Sequence, residues 1–307
     1  MDFAIDVKGI NKLFGDKHVV RDLALQVRQG EVFGFLGPNG SGKTTSIRLL
    51  CGLLTPDSGS GQCLGYNVLT QSKEIKRQVG YMTQKFSLWE DLTIAENLDF
   101  IARMFGIKQR KLAVSKTLEE LGLSGRQKQL AGTLSGGWKQ RLALASCLMH
   151  KPKLLLLDEP SAGVDPKARR DFWEQLHLLS TQGITILVST HYMDEAERCH
   201  RLAYIAYGSI LAAGSPEEVV KQQNICTWAV SGDNIQPYST ILRELPGVEQ
   251  VATFGAVLHV SSAADADPSA QISQFASKHG LQVQQVPPTL EDVFIHLMQH
   301  SQDPLAG

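Results

Sequence analysis

Residues 37–44 read GPNGSGKT, which fits G-x-x-x-x-G-K-[ST]; the run EVFGFLG precedes it and the helical run KTTSIRLL overlaps its end. Strand before and helix after is the context this pattern requires. Glycines let backbone N–H groups curl around phosphate oxygens, and a helix N-terminus adds a favourable field. Gly37, Pro38, Asn39, Gly40, Ser41, Gly42, Lys43, Thr44 and Thr45 are therefore read as a phosphate cradle. Lys43 would neutralise phosphate charge, and the Thr44 hydroxyl would hold Mg²⁺. The competing reading, a glycine-rich turn before an ordinary helix, is disfavoured by the matched strand–loop–helix context.

Other polar residues follow apolar runs. Asp158 and Glu159 end KLLLLDEP, where adjacent carboxylates can divide labour: Asp158 serving Mg²⁺, Glu159 polarising an attacking water as general base. His191 ends ITILVST and is placed to hydrogen-bond a terminal phosphate; a structural histidine is the plainer alternative. Gln84, in GYMTQKFSLWE, follows another short β-like segment and would sense Mg²⁺ and the attacking water. TLSGGWKQRLALA, residues 133–145, sets two glycines at the threshold of an amphipathic helix, where they weaken it.

These residues need elements to hold them. Alternating segments from residue 3 to 36 (FAIDV, HVVRDLALQV, EVFGFLG) predict strands, and after Gly37 helices alternate with apolar runs. That pattern predicts an α/β core with a mainly parallel sheet, whose ligands belong at the C-terminal ends of its strands. Residues 85–150 read as a helical insertion: Thr93 and Glu96 make a capping box, and Ile94, Leu98, Ile101 and Phe105 recur at helical spacing. Asp165 and Pro166 start a helix with Phe172, Leu176 and Leu179 on one face, and Ser215–Glu218 opens the helix expected to close a first domain over 1–222. Over 223–300 the order ICTWAV, PYSTILREL, VEQVATF, AVLHVSS, PSAQISQFASKHG, LQVQQV and LEDVFIHLMQH predicts a ferredoxin-like βαββαβ unit with an added helix. Residues 301–307 are expected to be a loose tail.

Bulk properties narrow the function. The 307 residues carry a net charge of −1, so no global basic field recruits nucleic acid, and none is expected as a partner. The five cysteines lie without CxxC or zinc spacing, and MDFAIDVKGI lacks the regions of a signal peptide, so reduced thiols in a cytoplasmic protein are expected. The apolar runs are far shorter than a bilayer span.

With its motifs in order, the chain resembles the ATP-binding cassette of ABC transporters over about residues 3–220: GPNGSGKT as Walker A, Gln84 as Q-loop, LSGG at 134–137 as signature, LLLLDEP as Walker B, SAGVD as D-loop and His191 as switch histidine. The resemblance implies a P-loop NTPase cassette, α/β with a mixed sheet core, an antiparallel β subdomain and a helical subdomain over about 85–150, followed by the small α+β ferredoxin-like domain. It also implies that two cassettes pair head to tail, Ser135, Gly136 and Gly137 of one covering the ATP phosphate held by the other, with Asp165 communicating across the pair. Phe14 matches the aromatic residue that stacks on adenine, with a hairpin-core phenylalanine as the alternative. Trp138 stands where the family usually has Gln, and would pack under its helix or line the dimer seam.

The more specific resemblance is to the ABC-2 exporters of the daunorubicin-resistance or multidrug group, carried by GYMTQKFSLWEDLTIAENLDFIARMFGI, GTLSGGWKQRLALASCLMHKPKLLLLDEPSAGVDP and PPTLEDVFIHLM. It implies an ATPase, with ATP and Mg²⁺, peripheral on the inner membrane face through a separate integral membrane permease that would dock near Phe86, Leu88 and Trp89. All catalytic positions are kept, so a homodimer with two equal sites is expected, a heterodimer remaining open. The alternatives are a soluble cassette ATPase in DNA repair, chromosome handling or translation, and a nucleotide switch without turnover. The first lacks its coiled-coil, zinc or basic-linker signatures here, and the second conflicts with Glu159 and His191. The C-terminal domain would brace or regulate the dimer, and Cys226 with His259 gives no metal-ligand pair, so no metal is expected there.

Overall fold

Four consecutive leucines, Leu154–Leu157, supply one strand to two hydrophobic cores at once: Leu154 and Leu156 point into one, Leu155 and Leu157 into the other. Side chains alternate faces along a strand, so an unbroken apolar run signals a sheet covered on both sides. The computed structural model describes residues 2–301, and the expected loose tail lies, from 302 onward, outside the described residues. The chain divides into two compact units between Ile210 and Leu211.

In chain order the first unit runs β1 (Phe3–Phe14), β2 (Lys17–Arg28), β3 (Val32–Leu36), α1 (Lys43–Leu50), β4 (Ser58–Cys63), β5 (Tyr66–Asn67), α2 (Ser72–Gln78), β6 (Val79–Met82), α3 (Ile94–Met104), α4 (Arg110–Glu120), α5 (Gly136–Leu148), β7 (Leu154–Asp158), α6 (Pro166–Thr181), β8 (Thr185–Thr190), α7 (Met193–Ala196), β9 (Arg201–Ala206) and the start of β10 (Ser209–Gly214). Strands β6, β7, β8, β3 and β9 lie side by side in that order, each neighbouring pair parallel, with β10 at the far edge. A second sheet, β2-β1-β4-β5, is antiparallel. One core joins its inner face (Ile5, Val20, Leu23) to Phe33, Phe35 and Ile47; the other joins the opposite face of the parallel sheet to α3–α6 through Leu98, Leu142, Trp173 and Val188.

The Thr93–Glu96 capping box opens α3 as expected, but the helix stops at Met104. Phe105 leaves the apolar face: it is 44% exposed and stacks on His150, ring centroids 3.9 Å apart, because Gly106 with φ 67° turns the chain there. Four of the five cysteines are buried and all are free. Burial pushes the Cys51 thiol up to about 11 and those of Cys63 and Cys147 up to about 12, which makes them unreactive packing groups.

The second unit comprises α8 (Pro216–Gln222), β11 (Ile225–Ser231), α9 (Tyr238–Arg243), β12 (Gln250–Phe254), β13 (Val257–Ala263), α10 (Ser269–His279), β14 (Gln282–Val286) and α11 (Leu290–His300). Its sheet runs β12-β13-β11-β14, every neighbouring pair antiparallel, which is the strand order of a ferredoxin-like split βαβ arrangement. Trp228, Val230, Leu242, Leu258, Val260 and Ile272 form its core. The division falls before the 222/223 boundary expected from sequence, because α8 packs with α11. Among the described residues no helix is long and apolar enough to cross a membrane.

Candidate functional site

The parallel register brings the polar ends of separate strands to one edge. Leu36 pairs with Thr190, Asp158 with Ser189, and Met82 with Leu157, so the residues that follow β3, β6, β7 and β8 emerge together. This is the C-terminal edge of an open α/β sheet, where ligands bind.

After β3 the chain enters the glycine loop. Gly42, at φ 104°, begins α1 with no side-chain cap and no acid in the first turn. A Cβ on Gly42 would come 2.8 Å from the Val19 carbonyl oxygen, so both conformation and space require glycine. The Ser41 carbonyl accepts from Gly208 N–H at 3.0 Å, anchoring the loop. Lys43, 4% exposed, donates to the carbonyls of Gly37 (2.8 Å) and Pro38 (3.0 Å) and lies 3.4 Å from Glu159 Oε1. Burial lowers its pKa below 10.5, with the charges of Glu159 and Asp158 opposing that shift.

Glu159 is the centre of the cluster. It is buried at 8% exposure and held with a positive φ of 46°, rare for a non-glycine and a strain found at functional sites. Its own N–H donates to the Ser189 carbonyl (3.1 Å) and hydroxyl (3.0 Å), which fixes the left-handed backbone. Gln84 Nε2 donates to Glu159 Oε2 at 2.9 Å, and His191 Nδ1 lies 3.4 Å from the same oxygen. Lysine, glutamine and histidine from separate strand ends thus converge on one carboxylate.

Beside it, the hydroxyls of Thr44 (3.0 Å) and Ser189 (2.7 Å) donate to Asp158 Oδ1. A threonine hydroxyl and a carboxylate this close are the hard oxygen donors Mg²⁺ takes in phosphate sites. The Ser41 hydroxyl is buried without a hydrogen-bond partner, as expected of a group whose partner is a bound anion. The residues present therefore fit both a phosphate chain and Mg²⁺.

The other predicted residues lie apart from this cluster. Ser135 precedes α5 and is exposed; its side chain caps nothing, and the first turn carries no acid. Gly137 faces α6, where a Cβ would come 2.8 Å from Ala168 Cβ, whereas on Gly136 it would meet nothing closer than the Gly163 carbonyl at 3.6 Å. Asp165 Oδ1 caps α6, accepting from Ala168 N–H at 3.0 Å. Phe14, at the end of β1, is 49% exposed with Lys12 Nζ 5.6 Å from its ring centre, so it is not a hairpin-core side chain. Trp138 packs partly buried against the helical core under two guanidinium groups, Arg126 at 4.6 Å and Arg141 at 5.4 Å. Phe86 and Leu88 also lie against that core; Trp89 is 42% exposed, edge-on to Phe100 at 4.3 Å.

Sequence reasoning missed Ser189 and Glu195. Ser189 bridges Asp158 and Glu159 from β8; the signal was a hydroxyl inside a run that otherwise reads as buried. Glu195 is fully buried, accepts from the Ser161 hydroxyl and from Thr190 Oγ1 (2.6 Å), and has Arg169 Nε 3.8 Å away. It ties the loop after Glu159 to the strand end that carries His191. No local pattern marked it, because its partners are distant in sequence or hidden in a strand.

A strand–glycine loop–helix with a buried acid pair facing it defines a P-loop nucleotide site. The ABC transporter family model matches residues 20–162. Nod factor export ATP-binding protein I of Rhizobium sp. (strain N33) is 40% identical over 298 residues, 96% of each chain. The probable multidrug ABC transporter ATP-binding protein YbhF of Escherichia coli (strain K12) is 41% identical over 220 residues, 71% of this chain but 38% of that one. The crystal structure of a nucleotide-free ATP-binding cassette from an ABC transporter superposes with a TM-score of 0.65 at 28% identity, covering 72% of this chain and 94% of that one. The chain belongs to the ATP-binding proteins of the ABC transporter family.

Proposed function

We propose that the chain is the ATP-hydrolysing subunit of an ABC-2-type exporter, acting as a head-to-tail pair on the cytoplasmic face of a separate membrane permease. The observation that carries this reading is the convergence of Lys43, Gln84 and His191 on Glu159, beside the Thr44–Asp158 pair. A protein that only binds nucleotide has no use for a buried carboxylate held in strained backbone with three polar side chains aimed at it. The names of the relatives, Nod factor export and multidrug transport, support export, and the cargo path belongs to the permease.

Mg²⁺ held by Thr44 and Asp158 would neutralise charge on the β- and γ-phosphates. Lys43, now donating to two loop carbonyls, would exchange them for phosphate oxygens. Glu159 would accept the proton of the attacking water, with Gln84 holding that water in place. His191 would hydrogen-bond the γ-phosphate, and Phe14 would stack on adenine. The backbone N–H groups of the Gly37–Thr45 loop, Pro38 excepted, would cradle the phosphates from one copy, and the exposed Ser135 and Gly136 of the other copy, with Gly137 behind them, would close over them, with Asp165 at the seam. The uncapped start of α5 and the open space at Gly136 suit that role. Trp89, exposed beside Phe100, is the side chain of its group left open for the permease.

Glu159→Gln keeps the shape of the site and removes the base. It is expected to lower ATP turnover about 10²- to 10⁴-fold while leaving ATP binding intact and trapping an ATP-dependent dimer visible by size-exclusion light scattering. Turnover at the wild-type rate in this variant would overturn the reading.

A further inference from the structure

The second unit holds a side-chain cluster that nucleotide chemistry does not use. Glu249 precedes β12, and His296 and His300 sit one turn apart on α11; one ligand atom from each of the three lies within 4.8 Å of the others. We propose that Glu249, His296 and His300 bind a divalent transition-metal ion, Zn²⁺ being the one their chemistry fits best.

Residues four apart on a helix share a face, and the two imidazole rings stand with centroids 4.2 Å apart. His300 Nδ1 lies 2.8 Å from the His296 carbonyl oxygen. A carbonyl only accepts, so this nitrogen carries the proton and His300 presents Nε2 as a lone pair. A metal-bound histidine commonly donates its other N–H to a backbone carbonyl in this way. His296 Nδ1 lies 3.3 Å from Glu249 Oε2, close to the separation of about 3.4 Å between two ligands in a tetrahedral shell of roughly 2.0–2.1 Å radius. Closing the third position needs movement only of exposed side chains, since Glu249 and His300 both face solvent.

The backbone beneath the cluster is tied down. Glu249 N–H donates to the Ser261 carbonyl at 3.0 Å, and the next side chain, Gln250, donates from Nε2 to the Asp292 carbonyl on α11 at 3.0 Å. Two nitrogens and one carboxylate oxygen, with a fourth position for water, suit Zn²⁺ rather than Mg²⁺ or Ca²⁺, which take shells of oxygen. The bound ion would clip the last turn of α11 to the start of β12. The plainer account is that imidazoles at a helix C-terminus favour the helix dipole. That account covers the bond from His300 to the His296 carbonyl but not the Glu249 carboxylate set against His296.

The proposal is independent of the exporter reading and is tested without ATPase activity. The full-length chain, stripped with a chelator and desalted, is titrated with Zn²⁺ against a chromophoric competitor. The expected result is one equivalent bound, more than about tenfold weaker in His300→Gln and in Glu249→Gln. A Zn²⁺-dependent rise in the thermal midpoint should be lost in the same variants. Both substitutions are at exposed positions, so they report even if the more enclosed His296→Gln fails to fold. Co²⁺ in place of Zn²⁺ should show tetrahedral d–d bands without thiolate charge transfer. Unchanged affinity in His300→Gln, no binding by the wild-type chain, or a thiolate band that places the ion on cysteine would each overturn the proposal.

Discussion

The N-termini of α1 and α5 are built alike and finished differently. Both helices begin after small residues, with no side-chain cap and no acid in the first turn, unlike α3, α6, α8 and α11, whose caps come from Thr93, Asp165, Ser215 and Thr289. At α1 the chain supplies nearly everything around that start: Lys43 donates to loop carbonyls, Glu159 faces the lysine, and Asp158 accepts from Thr44. At α5 the start is exposed, and no hydrogen bond or ion pair among the described residues joins Ser135, Gly136 or Gly137 to the Lys43 cluster. One terminus is surrounded by polar side chains of its own chain, and the other is not. An uncapped helix start can receive an anion, and on the proposed function the anion for α5 would come from another copy.

The largest effect expected from breaking this contrast comes from Glu159→Gln at the α1 site, as given above. At α5, Gly136→Ala should leave the monomer folded and its thermal midpoint equal or higher, because alanine raises helix propensity by about 0.5–1 kcal/mol. ATP-driven association should nonetheless be lost; retained association with normal turnover would show that nothing approaches this backbone. Its neighbour sharpens the point. Gly137→Ala sets a methyl against Ala168 and should destabilise the monomer itself by about 1–3 kcal/mol in urea unfolding.

Smaller effects distinguish scaffold caps from ligand-directed ones. Thr93→Ala removes a real capping box and should cost about 1 kcal/mol, whereas Ser135→Ala, which breaks no cap, should cost clearly less in the same unfolding assay. The smallest effect concerns pH. His150 hydrogen-bonds the Val79 carbonyl, and burial holds its pKa below 6.5. The unfolded chain therefore binds the proton first, so this group's contribution is intact above pH 6.5 and falls as pH drops from 6.5 towards the lowered value. His150→Gln should flatten that part of the stability profile, and an unchanged slope would assign the acid sensitivity elsewhere.

Much of the site was legible because its chemistry is carried by short runs at strand ends. GPNGSGKT, the Asp158–Glu159 pair, Gln84 and His191 were all readable from residue type and local context, and parallel pairing delivers them to one edge. Ser189 and Glu195 were not, since each acts on residues that only the sheet register or the buried loop brings near. Phe105 fitted a helical spacing yet is the C-cap of its helix, where the following Gly106 turns the chain. The helix Pro216–Gln222 carried a clear N-terminal signal, but a capping box says where a helix starts and not which core receives it.

By itself the sequence determined most of the elements and marked the candidate site residues, because backbone preferences, capping and phosphate-loop chemistry act over a few consecutive positions. The tertiary structure alone decided that Glu159 adopts left-handed backbone with Lys43, Gln84 and His191 around it. It alone drew Glu249 beside His296 and His300, and left Gly136 open where Gly137 is enclosed. Those outcomes depend on which distant segments share a sheet edge or a core, and contact between residues far apart in the chain is set by packing and register rather than by any local preference.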